Sequence, residues 1–243
     1  MWATAPRIRG VAVVDGDIPG GWQLRRLIES RLRHTAPCVD PAQASLPVTE
    51  NTASARARLP EQPLPAAVLI PIVERAEGLT LLFTQRAAHL RRHAGQISFP
   101  GGRVESQDSG PTETALRETE EEIGLDRRLV SVSGFLQPLL TMTGFCVCPV
   151  VGFIAPGFAL RPDPSEVHEV FEVPLLHILN KNNHIVRERT IGEHVLRVQE
   201  IHYGERHIWG ATAGIVMLLF KLIVDTPLAD ADAPLIASGA LQK

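Results

Sequence analysis

A mixed α/β (α+β) layered domain, preceded by an N-terminal helical extension, is the fold this sequence predicts, and three observations carry the prediction. Between residues 66 and 202 most segments are short and rich in Val, Ile, Leu and Phe, with the alternation expected of strands. One sharply bounded helix interrupts them, opened by Pro111 and stopped by Gly124. A second, strongly apolar helix closes the series near residues 209–224. Many strands with a central and a late helix indicate layers packed around one sheet. No internal repeat is present.

Residues 22–34 have an amphipathic helical pattern, with Trp22, Leu24, Leu27, Ile28 and Leu32 on one side and Arg25, Arg26, Glu29 and Arg33 elsewhere. Residues 36–65 are rich in Pro and Ala and read as a linker, with a short helical possibility at 53–59. The division expected is therefore an extension and linker over 1–65, a main domain over 66–225 and a tail over 226–243. Within the main domain, residues 67–73 and 79–84 make a strand, turn and returning strand. A long connection over 85–94 leads to a short segment at 96–99 and the turn Pro100-Gly101-Gly102. After the helix Pro111–Ile123, strands are expected at 129–135, 145–154, 169–173, 184–191 and 194–202.

Composition excludes several functions. The 24 Lys and Arg against 27 Asp and Glu give a net charge of -3, spread along the chain. That leaves no broad basic surface for nucleic acid. Cys38, Cys146 and Cys148 form no C-x-x-C pair or disulfide framework, which favours a reducing compartment. The spacing of Cys146 and Cys148 puts both on one strand face as small apolar residues. The first 21 residues lack the pattern of a signal peptide, and the apolar run at 208–220 is shorter than the ~20 residues that span a bilayer. A soluble, cytoplasmic protein without nucleic-acid or membrane partners is expected. A homodimer is compatible with the sequence.

The informative element is Arg117-Glu118-Thr119-Glu120-Glu121-Glu122-Ile123-Gly124-Leu125. Glu118, Glu121 and Glu122 share one helix face, while Leu116, Thr119 and Ile123 lie roughly opposite. Like charges at this spacing cost about 0.2–0.5 kcal/mol per pair, and the helix C-terminal half adds to the penalty. A divalent cation removes the conflict, because hard cations take carboxylate oxygens. A solvated acidic face is the plain alternative. The Gly-Gly turn upstream, able to approach a ligand closely, weighs against it.

These residues resemble the Nudix box, G-x5-E-x7-R-E-U-x-E-E-x-G-U, where U is aliphatic. Gly102, Arg117, Glu118, Glu121, Glu122, Gly124 and Leu125 match it. Asp108 stands for the mid-box Glu, eight residues separate it from Arg117, and Thr119 replaces an aliphatic residue. A second stretch, Leu82-Phe83-Thr84-Gln85-Arg86-Ala87, then Arg91, Gly95 and Phe99-Pro100-Gly101-Gly102, is similar to the extra signature of coenzyme A pyrophosphatases within that family. Only Phe83, in place of Leu, departs from it. Residues 166–175 and 208–213 look like later family segments.

The resemblance implies a Nudix-type α/β/α sandwich with a mixed central sheet. It implies hydrolysis of a diphosphate linkage in a small nucleotide substrate with Mg2+ or Mn2+, held by Glu118, Glu121, Glu122 and the Gly102 carbonyl. Arg117 would orient the glutamates, Arg86, Arg91, Gly101 and Gly102 would contact substrate, and Glu166 or Glu169 would be a further ligand or base. Coenzyme A, cleaved to 3',5'-ADP and 4'-phosphopantetheine, is the expected substrate. ADP-ribose, a dinucleotide or a nucleoside triphosphate is the alternative, as is a Nudix-fold binding module without catalysis. A metal-storage site is disfavoured because no Glu-x-x-His partner accompanies the acids. His184, His194, His202 and His207 read as scattered strand positions.

Overall fold

The computed structural model describes residues 21–47, 59–191 and 194–225. The helical turn expected at 53–59, all but its last residue, and the tail at 226–243 lie outside them.

The organising strand is β1 (Leu64–Arg75). Ala67, Leu69, Ile70, Ile72 and Val73 along it are fully buried, as a strand covered on both faces requires. It runs parallel to β7 (Phe145–Ile154) from Leu64↔Phe145 to Val73↔Ile154. On its other edge it pairs antiparallel with two strands in succession. The first is β4 (Gly101–Arg103), through Ala67↔Gly102, and the second is β2 (Gly78–Arg86), through Ile72↔Leu81. β2 in turn carries β3 (Ile97–Ser98) and β8 (Val167–Pro174), while β7 carries β5 (Val130–Phe135) and β6 (Leu139–Leu140). The result is an eight-stranded mixed sheet. β9 (His184–Ile191), β10 (His194–Tyr203) and β11 (Arg206–Ile208) form a separate antiparallel sheet of three.

Helices cover both faces of the large sheet. α1 (Gly21–Leu32), α3 (Leu175–Leu179) and α4 (Gly210–Phe220) share one core with Ile70, Ile72, Leu81, Phe83, Val151 and Phe153. α2 (Pro111–Ile123) lies on the opposite face, where Ala115 packs with Ala67, Leu69, Cys148 and Val150. Ile123 packs there with Val73, Leu82 and Ile154. Successive residues of β1 thus serve different cores, as the period of two demands. This is the expected α/β/α arrangement.

Several local departures have physical causes. Trp22, placed on the apolar side of α1 by its spacing, is 63% exposed, whereas Leu24, Leu27, Ile28 and Leu32 are buried. Position 22 lies in the first turn, beyond the edge of the sheet-facing stripe. α4 ends at Phe220 and continues as a π-helical turn, Lys221–Asp225. Phe83 stacks between Phe99 (4.7 Å between centroids) and Phe171 (5.8 Å), which accounts for an aromatic ring where the signature has Leu. Cys146 and Cys148 are free and buried, and burial pushes the Cys146 thiol up to about 11.

Because α1 contributes to the main core, Ile28→Ala should destabilise the whole domain by about 2–5 kcal/mol. Urea unfolding followed by circular dichroism should show one transition at a lower midpoint. A separate early transition would show the helix to be an independent appendage.

Candidate active site

α2 owes its position to its ends. Pro111 occupies the first turn, where a missing N–H costs nothing, and Gly124 ends the helix in the left-handed region at φ 65. Gly124 N–H donates to Glu120 O, and an added Cβ there would lie 2.9 Å from Arg161 Cβ. The next chain segment closes on this end: Arg161 N–H donates to Ile123 O (2.8 Å) and Asp163 N–H to Glu122 O (2.9 Å). Carbonyls orphaned by the helix end are thereby satisfied.

Thr119, where an aliphatic residue was expected, is buried and donates its hydroxyl to Ala115 O at 2.6 Å, so the core receives no unpaired polar group. Glu120 turns outward to Arg127.

Arg117 uses all five of its donors. Nε and Nη2 grip Asp108 at 2.9 and 3.0 Å, Nη1 reaches Glu118 (3.0 Å) and Glu121 (2.9 Å), and Nη2 also reaches the Arg103 carbonyl (3.3 Å). Asp108 is the buried anchor of this fork, with a side chain 1% exposed. It also accepts from Thr114 Oγ1 and from Glu105 N–H. The guanidinium and these bonds hold its carboxyl far below the usual carboxylate range, and Asp108 in turn raises Arg117. The shorter acid and the longer loop therefore still deliver a bidentate grip, a role the spacing alone left open.

The three glutamates of one helix face have unequal surroundings. Glu121 is 60% exposed, Glu118 is half-buried, and Glu122 is buried at 6%. Glu122 receives the Gly101 N–H and feels the Arg86 charge, yet burial pushes it up to about 8, with Glu118 and Glu166 adding to the rise. Glu118 is raised too, first by burial, with Glu121 and Glu166 contributing and Arg117 opposing. Desolvation outweighs like-charge crowding as the cause of both rises.

The glycines are set by close approach. A Cβ on Gly102 would stand 2.4 Å from the Glu118 carboxylate, and one on Gly101 (φ 153) would strike Ala67 O at 2.4 Å. Only at these positions can β4 lie against both β1 and the acidic helix.

Of the other residues singled out from sequence, Arg86 ends β2 with its charge acting on Glu122, and its buried Nε has no hydrogen-bond partner among the described residues. Arg91 is exposed in the β2–β3 connection. Glu166 is exposed and close enough to raise both Glu118 and Glu122. Its segment is tied down by Glu166 N–H to Asp163 O and by Ala87 N–H to Glu166 O. Glu169 is not brought to this face; its carboxylate is bonded to Arg206.

The histidines include a grouping that spacing did not reveal. His202 and His207 are cross-strand partners, and with Glu200 they form the one group of three metal-ligating side chains drawn within 4.8 Å among the described residues. Glu200 is wholly buried and already neutralised, with Arg187 Nε at 3.0 Å and His207 Nε2 at 2.8 Å. The β10–β11 register, available only from the fold, creates this cluster.

Hard carboxylate oxygens, one of them buried without enough positive charge to keep it ionised, beside a glycine that leaves no side chain in the way, fit a divalent cation. Comparison with known proteins places the arrangement. The NUDIX domain model matches residues 63–193, more than half of the chain. The chain belongs to the Nudix family. It is 44% identical over 158 residues to the uncharacterized Nudix hydrolase NudL of Yersinia enterocolitica, covering 65% of this chain and 80% of the relative. To NudL of Photorhabdus laumondii it is 41% identical over 166 residues, covering 68% and 88%. Among solved structures, an Ap4A hydrolase of C. elegans is similar over 45% of this chain and 80% of that one, with 19% identity and a TM-score of 0.40. Nudix membership supports hydrolysis of a diphosphate linkage in a nucleotide derivative, chemistry for which the family generally uses divalent metal ions. No helix among the described residues is long and apolar enough to cross a membrane.

The Glu122 shift fixes the sign of a pH effect. Its folded-state value, about 8, lies above the ordinary 4.5, so its contribution to stability is full below the ordinary value and is lost as pH rises through about 8. Asp108, shifted the other way, acts only in the acid range. The metal-free protein should therefore melt at a lower temperature as pH rises from mildly acidic to mildly alkaline. Mn2+ should raise Tm more at the alkaline end, where the cation meets an ionised carboxylate. Thermal melts with chelator and with Mn2+ across that range check both statements.

Proposed function

We propose that this protein is a coenzyme A diphosphatase, using Mg2+ or Mn2+ to hydrolyse coenzyme A or its derivatives to 3',5'-ADP and 4'-phosphopantetheine. The reading is carried by one observation: the signature from Leu82 to Gly102 contains Arg86, whose charge acts on Glu122 and whose buried Nε has no partner among the described residues. An unsatisfied guanidinium beside a cation site suits a diphosphate, which guanidinium binds in two-pronged fashion. Arg91, exposed on the connection that follows, supplies a further phosphate contact.

Glu118, Glu121 and Glu122, with the Gly102 carbonyl, would hold the cation. When bound, it supplies charge neutralisation for the diphosphate and a more acidic water. The chain's own groups supply position and proton transfer. Arg117, fixed by Asp108, holds Glu118 and Glu121 toward one region. Gly101 N–H holds Glu122. Glu166, exposed, near Glu118 and Glu122 and without a side-chain hydrogen bond among the described residues, accepts the proton of the attacking water as its oxygen joins phosphorus. The P–O bond to the leaving phosphate then breaks.

Incubation of the pure protein with coenzyme A and Mg2+, followed by mass spectrometry, should yield 3',5'-ADP and 4'-phosphopantetheine. If coenzyme A survives while ADP-ribose is cleaved, the substrate assignment fails and the broader activity stands. Glu166→Gln should lower kcat by about 10²–10⁴ while leaving Mn2+ affinity within a few-fold, as expected for loss of a base. Glu169→Gln should change kcat little; steady-state kinetics and calorimetric Mn2+ titration on the two variants separate their roles.

A further inference from the structure

The sheet of three strands carries a cluster that diphosphate hydrolysis does not use. Glu200 and His202 stand two residues apart on β10, hence on one face, and His202 pairs across the strands with His207 of β11. One oxygen of Glu200, Oε2, faces both imidazoles, 2.8 Å from His207 Nε2 and 3.8 Å from His202 Nε2. Ligand atoms held about 2.0–2.1 Å from a tetrahedral ion stand roughly 3.3 Å from one another, midway between those two distances. The ligand atoms of all three side chains lie within 4.8 Å of one another.

The cluster is rigid at its base and open at its rim. Glu200 is wholly buried. His177 Nε2 donates to the His202 carbonyl at 2.7 Å, which pins β10 to α3 at that residue. The Trp209 ring lies nearly parallel to that of His207 (21°, centroids 6.3 Å apart) and limits its rotation. The side chains of His202 and His207 are 43% and 34% exposed, so an ion in water reaches them.

A network of ion pairs is the plain alternative, since Glu200 also accepts from Arg187 Nε at 3.0 Å. The two uses are compatible. A carboxylate offers about four lone-pair sites, so Arg187 keeps its place while an ion replaces the Nε2 proton of His207. That proton moves to Nδ1 of the same ring. The Arg187 charge opposes any cation, but its side chain is 56% exposed and water weakens the effect. The ligand types select the ion. Two imidazole nitrogens and a carboxylate suit a borderline ion such as Zn2+, whereas Mg2+ prefers the all-oxygen set that α2 presents.

We propose that Glu200, His202 and His207 bind a divalent ion of the Zn2+ class, separate from the acidic face of α2, and that this ion clamps the β10–β11 hairpin. No further His, Cys, Asp or Glu joins the group among the described residues, so water fills the fourth position. The hairpin carries Arg206, which is bonded to Glu169 of β8, so the clamp also steadies the join between the two sheets. The site stands independently of which diphosphate the protein cleaves.

The test uses the full chain without an affinity tag, stripped with chelator and returned to millimolar Mg2+ to fill hard-cation sites. Calorimetric titration with Zn2+ should show one equivalent bound, and Zn2+ should raise Tm. His202→Ala should weaken that binding at least about ten-fold and remove the rise, with its Tm in chelator unchanged. Arg187→Met should tighten Zn2+ about two- to five-fold by removing a like charge, a gain that loss of a structural contact would not give. Co2+ should quench tryptophan emission, and the quenching should disappear in Trp209→Phe. Coenzyme A turnover with Mg2+ in His202→Ala should stay within about two-fold of the unaltered protein.

Absence of Zn2+ binding in Mg2+, or equal binding by His202→Ala, would overturn the site. Zn2+ binding lost in Glu118→Gln but kept in His202→Ala would overturn it too, by placing the ion on α2. His202-dependent Zn2+ binding by a protein that cleaves no diphosphate would support the clamp and remove the diphosphatase reading.

Discussion

The contact on which this structure turns is the approach of a bare backbone, Gly101-Gly102, to two carboxylates of α2. No side chain fits between them: a methyl group at Gly102 would overlap Glu118, and one at Gly101 would overlap the neighbouring strand. The approach brings Glu122 under the Gly101 amide and out of water, which is why it resists ionisation. It also seats the helix so that Ala115 and Ile123 complete two small apolar clusters against β1, β2 and β7. Packing and charge are therefore opposed at one place, and the helix is held there by its apolar side while its acidic side is left short of positive charge.

Arg117 resolves the part of that conflict that can be resolved by the protein alone. With Asp108 buried behind it, the guanidinium is a fixed object rather than a flexible surface cation, and two of its three remaining bonds collect Glu118 and Glu121. Glu122 is outside its reach. The residual imbalance is concentrated on that one buried group, flanked by Arg86 on one side and Glu166 on the other.

Much of this was legible from residue order. The bounds of α2 and the range of β7 follow from Pro111, Gly124 and a continuous apolar run, because those signals are local. The shared face of Glu118, Glu121 and Glu122 follows from helical periodicity. What order could not show depends on pairing between distant segments. β4, β6 and β11 are too short to carry a pattern of their own and exist only through their partners. The depth of Glu122 depends on β4 and on the segment ending in Glu166. The separation of Glu166 from Glu169, three residues apart in sequence, depends on Arg206 drawing one of them toward the smaller sheet. Trp209 looked like part of an apolar closing helix, yet it is the extended residue before that helix begins at Gly210.

The way the chain after β7 meets the end of α2 has a further consequence. Glu118 and Glu122 ride on an element rooted in apolar clusters, and Glu166 arrives on a segment held both by main-chain bonds, those of Arg161 and Asp163 among them, and by Phe158, Leu160 and Val167 packed in the cluster of Ile123. Opening that segment means withdrawing Phe158, Leu160 and Val167 from the cluster that also seats the end of α2. The strand-side carboxylate and the helix-borne ones are thus moored through one shared cluster, so a disturbance that loosens either loosens both.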